Sequence, residues 1–344
     1  MTRARRLALA LLFTALTSTL PALAQKGPYK IIKTVKVGGE GGWDYITADA
    51  ANRRLYFARS GPSGNLQVYN LDTLTPVGEV PTGNAHGAVI DDATHHGFAT
   101  AAHVIMFDAR TLKVLKTIPT QGHPDGFLDA PDTHHVYILS HVSPNVTVLD
   151  AETGNIIKAF DVGGAVEQAV LDNKGHLFID LEDKDAIAVV DTGSLVQSGK
   201  FDISSQGGGC AGLAIDAAHG ILFAACRDRN NMIILRSEDG KILTTLPIGV
   251  GCDGAVFNPA TQEAFSTQGD GTLTVIKENS PTYFSVEQTL DTKRGARTIT
   301  FDATTGHILT GTAEFTPEPS MQSAQPHARP SILPNTFEII VIGK

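Results

Sequence analysis

One short strand recurs seven times along this 344-residue chain, at a spacing of about 42 residues. It reads LQVYNLD at 66–72, VIMFDA at 104–109, VTVLDA at 146–151, IAVVDT at 187–192, MIILRS at 232–237, LTVIKE at 273–278 and FEIIVI at 337–342. A polar turn follows each copy, then a second apolar segment running into Pro-x-Gly or Val-Gly-Gly, then a polar residue that opens the next copy. A repeat of this length made of short alternating segments marks four-stranded propeller blades. Helix-period patterning is nearly absent.

Each blade can be laid out from the sequence. Innermost strands begin at Asp44, His86, Asp125, Glu167, Ala211, Asp253 and Arg297, and second strands follow as RLYFA, GFATA, HVYIL, HLFID, ILFAA, EAFST and HILTG. Only six outer strands follow their blades. The seventh is supplied by KIIKTVKVGG at 30–39. The expected fold is therefore all-β, a seven-bladed β-propeller whose last blade is closed by the N-terminal strand. Closure removes the exposed sheet edges that invite aggregation.

The V-x-V-x-D strand, with the segments TLKVLKTIPTQG at 111–122 and TGNIIKAFDVG at 153–163, resembles the secreted YVTN-type, YncE-like propellers. The similarity covers the chain beyond its first residues, although the literal Tyr-Val-Thr-Asn string is absent. It implies a surface or periplasmic binding role. The motif residues themselves are packing and turn residues and carry no chemistry.

Residues 1–24 read as a signal peptide: a basic start at Arg3, Arg5 and Arg6, an apolar stretch at 7–20, and Ala22-Leu23-Ala24 before Gln25. That stretch is too short for a membrane span, and no other long apolar stretch exists. The expectation is Sec export to the periplasm or exterior, followed by one domain at 25–344, monomeric and without a membrane span. Removing the leader takes three cations from a formal charge of −9 and leaves −12. Nucleic acid and anionic lipid are thereby poor partners, because phosphate neutralisation needs clustered Lys and Arg. Three cysteines suit an oxidising compartment. Cys210 and Cys226 fall opposite one another if 216–221 is a hairpin turn. A Cys210–Cys252 bond and no bond at all are the alternatives.

The connections between blades, and those between second and third strands, emerge on one face. Asp44, His86, Asp125, Glu167, Asp253 and Arg297 should therefore ring the channel mouth. A wet channel mouth is polar without any ligand. Yet two carboxylates about 7 Å apart repel by roughly 2 kcal/mol at an effective dielectric near 20. Four acids around one pore call for arginine, raised pKa values or a cation; no cofactor is assured, and a hard divalent ion such as Ca²⁺ in the channel is the sharper alternative to a mouth that needs no ligand.

Most of the twelve histidines sort to the other face. His96, His135, His176, His219 and His307, with His95 and His134 beside two of them, fall in the turn after each inner strand and read as solvated turn residues. His86, His103, His123 and His141 share the mouth face and form a candidate ligand or metal wall beside Asp125. Their spacing matches no standard zinc motif. Blade 7 carries a Pro-rich insertion at 313–335 that includes His327, and RDRNN at 227–231 adds Arg227 and Arg229 to the mouth face. Loops this long are usually functional or disordered. Nucleophile-elbow, phosphate-loop, H-E-x-x-H and dinucleotide motifs are all missing. The expected function is recognition of a small molecule, glycan, peptide or protein at the channel mouth. The alternative is a lyase, lactonase or glycan hydrolase using carboxylate or histidine as acid and base, with Arg297 opposite substrate charge.

Overall fold

A computed structural model describes residues 27–61, 64–317 and 330–344. The leader at 1–24 lies outside these residues, as do His327 and the middle of the 313–335 insertion. Seven antiparallel four-stranded sheets follow one another around a ring, at 43–80, 87–118, 124–160, 166–202, 210–247 and 252–291, with the seventh at 300–343. In that last blade the strand Lys30–Lys36 pairs with Glu338–Gly343, so the N-terminal strand closes the ring as the repeat predicts. No helix among the described residues is long and apolar enough to cross a membrane.

Burial follows position within the blade. Second strands are covered on both faces and read as continuous apolar runs rather than alternating ones. Ile221–Cys226 is buried at every residue, whereas the outer strand Pro76–Val80 is exposed except for Val80. Aromatic side chains from the second strands, among them Phe57, Phe98, Phe178, Phe223 and Phe265, fill the seams between blades at 0–1% exposure. Near the axis the strands approach too closely for side chains. A Cβ on Gly212 would sit 2.6 Å from the Gly254 backbone of the next blade, which accounts for the small residues in the inner strands.

The aspartates of the repeat cap turns. Asp108, Asp150 and Asp191 each accept a backbone N–H three residues on, at 2.8, 2.7 and 2.7 Å, and Asn70 does the same in blade 1. The acids that end the inner strands act alike: Asp49 accepts from Asn52, Asp91 from Thr94, and Asp172 from Lys174. Side chains that offer the backbone this local partner are those favoured in tight turns. Ring closure is further held at Arg53, which donates to both Asp302 oxygens at 2.8 Å and ties blade 1 to blade 7. Cys210 and Cys226 stand opposite one another in register and form a disulfide, leaving Cys252 buried and unbonded.

Candidate functional site

Four carboxylates reach the channel mouth through one backbone device. In blades 1, 3, 4 and 6 the inner strand slips register at its first residues: between Trp43 and Ile46, Pro124 and Phe127, Val166 and Ala169, and Cys252 and Ala255. Each slip sets two residues against one on the neighbouring strand. The first of the pair is Asp44, Asp125, Glu167 or Asp253. A β-bulge frees a residue from the ladder and re-aims its side chain, here into the channel. Blade 5 has the same bulge with Ala211 in that place.

These bulged residues meet His86, His123, His141 and Arg297 around a cavity of about 460 Å³, with Tyr45 and Val142 completing the wall. Such a volume holds a small ligand. Below it, sharing Tyr45, a narrower space of about 200 Å³ continues down the channel between apolar residues such as Val89, Phe127 and Ile299. Every residue expected at the channel mouth lies on this cavity.

The secondary candidates divide. His123 and His141 line the cavity. Arg227 stands at its edge and ion-pairs with Asp253, and with Glu182 at 2.5 Å. His103 and Arg229 are exposed and do not line it. Connections between second and third strands start one strand further from the axis. His141 reaches inward because it directly follows the buried end of its strand at Ser140, whereas His103 stands three residues beyond the end of its own, Thr100.

Partners relieve the crowded acids. Arg297 Nε lies 2.7 Å from Asp253 Oδ2, and its guanidinium stacks 5.6 Å from the Trp43 ring centroid. His86 Nδ1 lies 2.9 Å from Asp44 Oδ2 and 3.0 Å from Asp125 Oδ1. His141 Nε2 lies 3.4 Å from both Asp125 Oδ2 and Glu167 Oε1. Asp125 and then Asp44 push His86 up to about 10, and Glu167 pushes His141 up to about 9. Burial drives Glu167 up to about 7 and raises Asp44, with histidine pulling each back. The mouth is thus a chain of alternating charges rather than a bare ring of acids.

The base of the blade 7 insertion packs beside this network. Phe315 pairs with Ile332 across a short bridge and lies 6.2 Å from Trp43, the residue that supports Arg297.

On the opposite face two of the seven turn histidines, His176 and His219, are exposed as expected and in addition hold acids. His176 Nδ1 lies 2.8 Å from Asp172, and His219 Nδ1 lies 2.6 Å from Asp216 and 3.0 Å from Glu278 of the next blade. In blades 4 and 5 the acid that caps the turn after the inner strand also holds the histidine that follows it. A cavity of about 520 Å³ also opens on this face between blades 4 and 5, beside His176, His219 and Arg236. Its histidines are engaged by their own turns, so its size alone does not make it the functional site.

Among the described residues three groups of donor atoms could hold a metal ion: Asp44–His86–Asp125 and Asp125–His141–Glu167 at the mouth, and Asp216–His219–Glu278 opposite. Glu182 follows the second strand of blade 4, and its place in the connection between second and third strands is the sequence signal for it. Tyr45 gave no signal, because only the bulge turns it toward the channel. The chain matches no family model and no curated protein, so the likeness to YVTN-type propellers stands on its strand and turn pattern alone.

Proposed function

We propose that this chain is an exported, monomeric propeller of the YVTN type that binds a small, polar, charge-bearing ligand in the channel mouth. The convergence of four bulge-borne acids, three histidines and Arg297 on one 460 Å³ cavity supports this reading. Alternating charges suit a ligand with both acceptors and donors, such as a sugar, a sugar acid or the end of a peptide. Few apolar side chains line the cavity, which disfavours a lipid or an aromatic ligand. A thermal-shift panel of amino acids, sugar acids, oligosaccharides and short peptides tests it. At least one class should raise the melting temperature of the native chain and lose that effect in Asp253→Ala. A panel without any shift specific to the mouth would overturn the assignment.

A second reading, a lyase, lactonase or glycan hydrolase, gains from one observation. Imidazole and carboxylate groups from different blades stand within hydrogen-bond reach inside the same cavity, His86 at 2.9 Å from Asp44 and 3.0 Å from Asp125. Such groups are the acids and bases of proton transfer, and Arg297, paired with Asp253, lines the same cavity opposite any developing negative charge. Turnover of lactone or glycan substrates, abolished in His86→Gln, would favour this reading over simple binding.

A further inference from the structure

Three side chains in the channel mouth are spaced for an ion rather than for one another. His141 Nε2 lies 3.4 Å from Asp125 Oδ2 and 3.4 Å from Glu167 Oε1, and all three donor atoms lie within 4.8 Å of each other. Charge-assisted N–H···O bonds run at about 2.7–2.9 Å, and the turn pairs of this protein reach 2.8 and 2.6 Å. Around an ion with nitrogen and oxygen ligands at about 2.0–2.2 Å, the edges of a tetrahedron measure about 3.3–3.6 Å. The observed spacings are long for hydrogen bonds and fit such an edge.

Two further observations point the same way. The Glu167 side chain is only 9% exposed, its ion-pair partner His141 stands off at 3.4 Å, and burying a carboxylate without a closer cation is costly. The arginines of the mouth make their ion pairs with other acids, Arg297 with Asp253, and Arg227 with Asp253 and Glu182, and Arg227 reaches Glu167 only at longer range. Asp125 is also divided in use. Its Oδ1 shares the His86 Nδ1 donor with Asp44 Oδ2, while Oδ2 faces His141. Bracing of a ligand through its second atom is what outer-shell partners do in metal sites.

Resting on the binding role proposed for the mouth, we infer that Asp125, His141 and Glu167 form a site for a first-row divalent cation such as Zn²⁺ or Mn²⁺. One imidazole nitrogen with two carboxylate oxygens selects against Ca²⁺, which takes oxygen ligands throughout. The acids read alone suggested that hard ion; the imidazole changes the choice. Three protein ligands leave a coordination position facing the cavity, the arrangement of sites that engage a bound molecule rather than of closed structural ones. A hydroxyl or carboxylate of the small polar ligand would occupy it.

Metal uptake by the full chain tests the site. After chelator treatment and dialysis, isothermal titration and elemental analysis with Zn²⁺ or Mn²⁺ should give one equivalent per chain, with Ca²⁺ at least tenfold weaker. His141→Ala and Glu167→Gln should each weaken uptake at least tenfold. His219→Ala, at the mixed cluster on the opposite face, should leave it unchanged. A Co²⁺ absorption spectrum lost in Glu167→Gln but kept in His219→Ala gives a readout independent of stability. No stoichiometric uptake, uptake indifferent to His141→Ala, or uptake lost in His219→Ala would overturn the inference. Ligand shifts that persist in metal-free protein and vanish only in Asp253→Ala would overturn the metal site while leaving the binding reading intact.

Discussion

Both faces of the ring carry histidine–carboxylate pairs, and the pairs differ in how they are built. On the face away from the mouth His176 meets Asp172 and His219 meets Asp216 within a single turn, four and three residues apart. Those acids also cap backbone N–H groups, so the pairs complete the turns of the repeat. At the mouth His86 meets Asp44 across 42 residues, one blade away, and no acid of that network caps its own turn. Local pairs follow from the needs of the chain where they stand. The mouth acids cap no turn of their own, and that difference supports the binding role proposed for the mouth.

If the comparison holds, substitutions on the two faces should separate stability from binding. The largest effect is expected at Arg53. Asp302 is 2% exposed, and Arg53→Ala would leave it without its cation. Breaking a buried pair from one side costs about 3–5 kcal/mol. Urea denaturation should show that loss, while ligand shifts at the mouth survive at temperatures where the variant is folded. His219→Ala should cost less, about 2 kcal/mol, because Glu278 is buried but Asp216 keeps its turn contacts. Either variant abolishing ligand binding would dissolve the distinction between the faces.

A pH experiment sharpens it further. Burial, then Asp91 and Asp92, push Asp129 up to about 7. Folded Asp129 therefore keeps its proton where the unfolded chain has lost it. With the folded pKa above the unfolded one, its contribution to stability is full below about pH 4 and is lost as pH rises toward 7. Asp129→Asn should remove that slope and gain about 1 kcal/mol relative to the native chain at pH 8, after allowance for solvent screening at a partly exposed group. The check is the difference between the two denaturation curves across pH 4–8, with ligand shifts unaltered.

Strand identity, blade number and closure by residues 30–39 were legible because a period-2 pattern repeated at fixed spacing leaves few other folds. The rim was legible too. Asp44, His86, Asp125, Glu167, Asp253 and Arg297 share it because connections between blades share a face. Depth was not legible. His103 and Arg229 stand on the expected face but too far from the axis, and Tyr45 enters the wall only through a slip of register. The His219–Glu278 contact joins neighbouring blades, and no linear pattern records which side chains meet across such a seam.

One measurement decides directly whether the mouth network serves binding rather than folding. Unfolding free energies of the native chain and of Asp125→Ala/Glu167→Ala should agree within about 1 kcal/mol, because removing two crowded acids relieves repulsion and sites kept for function seldom add stability. The double variant should at the same time lose its ligand and metal shifts. A loss of about 3 kcal/mol or more, comparable to Arg53→Ala, would contradict the account and make the mouth network a structural element of the ring.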